Sequence, residues 1–131
     1  MSGRSAAKQG DKVVGVDTHV LLVPSPTGPV PTPTSMPFGG TLDGGLSADV
    51  VIEGKAAAVK GSTATNAPAH VPTVGPFQKP PSNRGTVTTG SAAVLINGKP
   101  AARNGDPALT CNDPADAPNG TVIAAGTVLM G

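Results

Sequence analysis

The sequence predicts an all-β fold of short strands and hairpins, repeated three times about a shared axis. Three observations carry this expectation: a composition rich in turn residues, the lack of helical runs, and a motif that occurs three times. The chain has 131 residues with 18 Gly and 15 Pro, while Phe38 and Phe77 are its only Phe, Trp or Tyr residues. That length fits one domain, 1–131, and that composition leaves little material for a large apolar core. Few charges and many Val and Thr separate it from a disordered chain. Only Ala56–Lys60 has helix formers in a row, and Gly54 and Gly61 bracket it too closely for more than one turn.

The repeat is read without gaps. Ala6-Ala7-Lys8-Gln9-Gly10-Asp11, Ala57-Ala58-Val59-Lys60-Gly61-Ser62 and Ala101-Ala102-Arg103-Asn104-Gly105-Asp106 align. Apolar strands and a Gly-Lys pair precede the last two copies, and Asn97-Gly98 is a strong signal for a type I′ hairpin. A Gly-Thr-Leu/Val strand recurs at Gly40, Gly85 and Gly120. The chain is circularly offset: the first copy has no strand before it, so the C-terminal strand is expected to pair beside the N-terminal segment. Repeat cores fall at about 5–19, 40–70 and 85–111, with a closing strand at 120–131. Proline-rich insertions at 24–40 and 68–81 are expected to be extended polyproline-type loops on the outside.

Several function classes are disfavoured. The formal net charge is +1, with no basic cluster and no Tyr or Trp, so nucleic acid is not an expected partner. No apolar stretch in Met1–Gly10 reads as a secretory signal and no run is long enough for a membrane helix, so synthesis in the cytoplasm is expected. No nucleophile elbow or phosphate-binding glycine loop is present. A Cys111–histidine hydrolase is the enzymatic alternative, and the expectation is no enzyme.

A thin core needs a disulfide, a metal or a partner, and the single cysteine, Cys111, excludes an intrachain disulfide. His19 and His70, the only two histidines, each stand eight residues after the end of their repeat motif, and Cys111 stands five after Asp106. Equivalent positions about one axis converge, so these three side chains are expected to meet. Two imidazoles and a thiolate suit Zn2+, with iron as the alternative. Asp113 is the nearest carboxylate for a fourth ligand; Asp116, Asp17 or a water would also serve, and Asp17 could instead orient an imidazole from outside.

The segment Leu95–Asp106, with Pro100-Ala101-Ala102-Arg103 at its centre, resembles the signature of the PAAR-repeat family. The resemblance implies a small cone-shaped, pseudo-threefold PAAR-like fold with a metal at its apex. It further implies a base that docks on a trimeric β-helical spike, one copy per trimer. Such proteins tip the spikes of type VI secretion systems, extracellular contractile injection systems and contractile phage tails. The implied role is structural: to cap and sharpen the spike and help pierce a target membrane contacted transiently, delivered on the particle outside the producing cell. The alternative role is an adaptor that docks an effector or cargo. Family members commonly use three histidines and one cysteine for the metal, and this chain has only two histidines.

Overall fold

The fold is described from a computed structural model, which covers residues 3–131; Met1 and Ser2 of the expected single domain lie outside the described residues. The strands in chain order are β1 (Arg4–Ser5), β2 (Lys12–Val23), β3 (Val30–Gly44), β4 (Val51–Ile52), β5 (Lys55–Ala56) and β6 (Thr63–Asn66). They continue with β7 (Arg84–Val87), β8 (Leu95–Ile96), β9 (Lys99–Pro100), β10 (Pro107–Thr110), β11 (Ala117–Ile123) and β12 (Leu129–Met130). No helix occurs among the described residues, and Ala56–Lys60 adds none.

Six strands close an antiparallel barrel in the order β10-β11-β2-β3-β6-β7. Three two-stranded sheets, the terminal pair β1-β12 and the hairpins β4-β5 and β8-β9, stand at the start of β2, β6 and β10. The circular offset read from the sequence takes physical form in the first of these, where Arg4 pairs with Met130 and Ser5 with Leu129. The other two turn at Glu53-Gly54 and Asn97-Gly98, with φ of 50° and 82°, and 53° and 78°. Both central residues of a type I′ turn need positive φ.

The three motif copies meet at the axis in a closed ring of backbone hydrogen bonds. The N–H of Ala7 donates to Ala102 O, that of Ala102 to Ala58 O, and that of Ala58 to Ala7 O, each at 3.0 Å. All three alanines are fully buried. A larger side chain at the axis would press on two neighbouring copies at once, which accounts for alanine there. Each copy then turns through a glycine of positive φ, Gly10, Gly61 or Gly105. The residue after it closes the turn on the backbone three residues earlier: Asp11 accepts from Lys8 N–H, Ser62 from Val59 N–H and Asp106 from Arg103 N–H.

Two apolar layers follow from the same symmetry. Ile52, Ile96 and the partly buried Met130 point inward beneath the hairpins, beside Ala6, Ala57, Val59 and Ala101. Leu42, Val87 and Val122, with Val13, Ala64 and Ala108, fill the barrel. The recurrent Gly before Thr is a packing requirement: a Cβ on Gly120 would lie 2.8 Å from Thr110 Cγ2 and 2.9 Å from Val13 Cγ1.

The expected polyproline loop at 24–40 is corrected by the structure: from Val30 onward it is the strand β3, paired residue by residue with β2 from Val23↔Val30 to Lys12↔Thr41. The prolines are compatible with pairing because of their parity. Gly39 turns its N–H toward Asn66 and its carbonyl toward Ala67 N–H, away from β2. Odd-numbered residues of β3 therefore face away from β2, and Pro31, Pro33 and Pro37 are all odd. Their missing N–H groups fall on the free edge, where proline is tolerated. The second insertion is also not a free outer loop. Pro76 O accepts from Leu22 N–H and Gln78 N–H donates to Val20 O, so this segment adds to the other edge of β2.

Candidate metal centre

The hairpins and the alanine ring lie where β2, β6 and β10 begin; the candidate site lies just past the ends of β6 and β10 and beside the middle of β2. Asp17 and His19 belong to β2, with the buried positions alternating through Asp17, His19 and Leu21, so both side chains face inward. His70 follows β6 and Cys111 follows β10. One ligating atom from each of Asp17, His19, His70 and Cys111 lies within 4.8 Å of the other three.

The distances suit a single ion. Cys111 Sγ is 3.7 Å from His19 Nε2 and 3.4 Å from Asp17 Oδ2. Asp17 Oδ2 is 3.0 Å from His70 Nε2 and 4.0 Å from His19 Nε2. A tetrahedral ion with bonds of about 2.0–2.3 Å separates its ligand atoms by about 3.3–3.8 Å, so small movements would bring four donors onto one centre. Thr110 Oγ1 donates to Asp17 Oδ1, which leaves Oδ2 as the oxygen facing the other donors.

Of the residues singled out in the sequence, His19, His70 and Cys111 are brought together. Asp113 is not a member of the four-residue group. Its Oδ2 accepts the Val20 N–H at 2.8 Å and lies 3.6 Å from His19 Nδ1, on the far side of that ring. Asp116 is exposed. Asp17 completes the set, because period-two alternation along β2 puts it on the face of His19. The sequence signal for it was that spacing of two, visible once residues 12–23 are read as a strand.

Two aromatic rings flank the site. Phe77 stands edge-on to His19 with ring centroids 5.9 Å apart, so the second insertion covers the site. Phe38 stands edge-on to His70 at 6.3 Å. Burial, and next the neighbouring Asp17 carboxylate, push the Cys111 thiol up to about 11, against the smaller pull of the Asn83 and Arg84 backbones. Without a metal the thiol therefore stays protonated, and a bound cation would have to displace that proton.

The architecture defines a pseudo-threefold all-β protein with a buried thiol, imidazole and carboxylate cluster on the side away from the alanine ring. Residues 78–130 match the family model for the PAAR motif, which supports the resemblance carried by Leu95–Asp106. No curated protein and no solved structure matches it. The motif supports association with the spike tip of a contractile injection system.

Proposed function

We propose that the chain is a structural tip that caps a trimeric spike through its hairpin end and is pinned by a metal at the other. The observation that carries the docking half is a set of three equivalent exposed side chains. Val51, Leu95 and Leu129 hold the same register position in the three two-stranded sheets and are 62%, 63% and 51% exposed. Their neighbours Ile52, Ile96 and Met130 are turned inward. Three aliphatic groups about a pseudo-threefold axis fit a partner of true threefold symmetry, and one chain then serves one trimer.

Asp17, His19, His70 and Cys111 would hold the metal. A thiolate and a carboxylate balance the charge of a divalent cation, which favours ligation in a buried place where uncompensated charge is costly. Zn2+ suits this donor set, with iron second. The ion would supply cohesion rather than chemistry, on the order of 10 kcal/mol in small structural sites. Such a pin would keep the narrow end from splaying during membrane piercing. The role is mechanical and non-enzymatic, the chain being made in the cytoplasm and carried outward on the particle.

Native mass spectrometry of the chain mixed with the purified trimeric spike tests the docking. One chain per spike trimer is expected, and a Leu95→Asp/Leu129→Asp variant should remain unbound while keeping its fold. Another stoichiometry, or unimpaired docking of the folded variant, rejects it. A second reading, an adaptor for cargo, is favoured by an open groove of about 580 Å3 between Met36–Gly39 and Ala67–Val71; cargo retained by particles only when this groove is intact would support it.

A further inference from the structure

A hydrogen-bond network around His70 decides which ring nitrogen carries its hydrogen, and two backbone donors fix every atom of it. The Gly39 N–H donates to a side-chain atom of Asn66 at 2.9 Å, so that atom is the amide oxygen. The other atom is the NH2 group, and it faces His70 Nδ1 at 3.3 Å and Asn83 Oδ1 at 3.1 Å. The Asn83 atom is an oxygen in its turn, because the His70 backbone N–H donates to it at 2.8 Å. His70 Nδ1 is therefore an acceptor, and the neutral ring carries its hydrogen on Nε2. That hydrogen is given to Asp17 Oδ2 at 3.0 Å. His19 is held differently: its buried Nδ1 has no hydrogen-bond partner among the described residues, and Asp113 Oδ2 lies 3.6 Å away.

We propose that Asn66 is a positioning residue that holds His70 in the tautomer unable to ligate through Nε2, so that metal capture by His70 requires the Asn66 amide to turn away. The proposal rests on the metal reading given above. Ligation through Nε2 needs its lone pair, so the ring loses the hydrogen there and takes one on Nδ1, with no change in its net charge. The new N–H then meets the Asn66 NH2, donor against donor. Half a turn of the amide does not relieve this, because it sets NH2 against the Gly39 N–H and oxygen against the Asn83 oxygen. A metal-bound histidine usually gives its second N–H to an acceptor, and Asn66 offers the opposite. Asn66 thus tunes affinity and makes His70 the conditional member of the set.

Nitrogen-15 NMR of the full chain tests the tautomer directly. In metal-free protein His70 should carry Nε2–H; on adding Zn2+ it should carry Nδ1–H, with the Asn66 side-chain amide signals shifting together with it. Asn66→Asp keeps the oxygen that serves Gly39 and places an acceptor at Nδ1, so competition titration should show Zn2+ bound about 10- to 100-fold tighter. Val71→Asp adds the same charge next to His70 at a position 65% exposed, and should tighten binding far less. A metal-free His70 with Nδ1–H, or an Asn66→Asp gain no greater than that of Val71→Asp, overturns the proposal while leaving Zn2+ binding intact. Failure of the wild-type chain to take up Zn2+ in elemental analysis overturns the metal reading and the proposal with it.

Discussion

The backbone N–H of Ala58 donates to the carbonyl of Ala7 at 3.0 Å, and the same bond recurs from Ala7 to Ala102 and from Ala102 to Ala58. Ala58 has no exposed surface, so extra carbon atoms there must displace the ring itself. Ala58→Leu should cost about 1–3 kcal/mol by overpacking, read from urea denaturation. The same change at the exposed Ala48 should be close to neutral; equal effects at the two positions would contradict a tightly packed axis.

The metal half of the proposed role is open to a paired test. Elemental analysis should find one Zn2+ or iron per chain, and a fully chelated sample should melt far lower. Asp113→Ala should weaken metal binding by at most about 10- to 100-fold, the effect of losing a partner behind a ligand. Asp17→Ala should weaken it more. The reverse order would exchange the roles of the two carboxylates.

For metal-free protein, the Cys111 thiol gives a pH dependence of known sign. Its value in the fold, about 11, is above its ordinary 9.0. Between these the folded chain holds a proton that the unfolded chain releases, so stability is retained below pH ~9 and falls as pH rises toward 11. Denaturation midpoints measured from pH 8 to 11 should show this loss, and Cys111→Ser should flatten it. A rise in stability across that window would contradict the burial of the thiol.

Gly120 and Gly39 make a contrast of close approach and open space. A Cβ at Gly120 meets Thr110 and Val13 below 3.0 Å, whereas a Cβ at Gly39 meets nothing within 4 Å. Gly120→Ala should destabilise by about 1–3 kcal/mol, and Gly39→Ala should change the melting temperature little.

The repeat, the all-β class and the hairpin at Asn97-Gly98 were legible because each rests on local pattern: aligned motifs, absent helix formers and a turn dipeptide. His19 and His70 were legible as a pair because the repeat fixes their offset. Asp17 was harder to rank, since its nearness to His70 arises only when β2 and the end of β6 are curved into one barrel. The strand β3 was not legible because its proline count points to a loop, whereas proline parity decides whether pairing survives. Pro31, Pro33 and Pro37 share one parity, a pattern that a count conceals. Ser47 and Ser91, equivalent turn residues whose hydroxyl oxygens accept from Val50 and Val94 N–H, carried no pattern strong enough to single out.

The row of odd positions on β3 leaves Ser35 as its one N–H between Pro31 and Pro37. A foreign strand arriving at that border would find carbonyls but almost no donors, and could not zip along it. Two such chains crowded together therefore lack a template for joining sheets along this border. Long storage at high concentration should leave the protein dispersed, without fibrils or swapped pairs growing from this side.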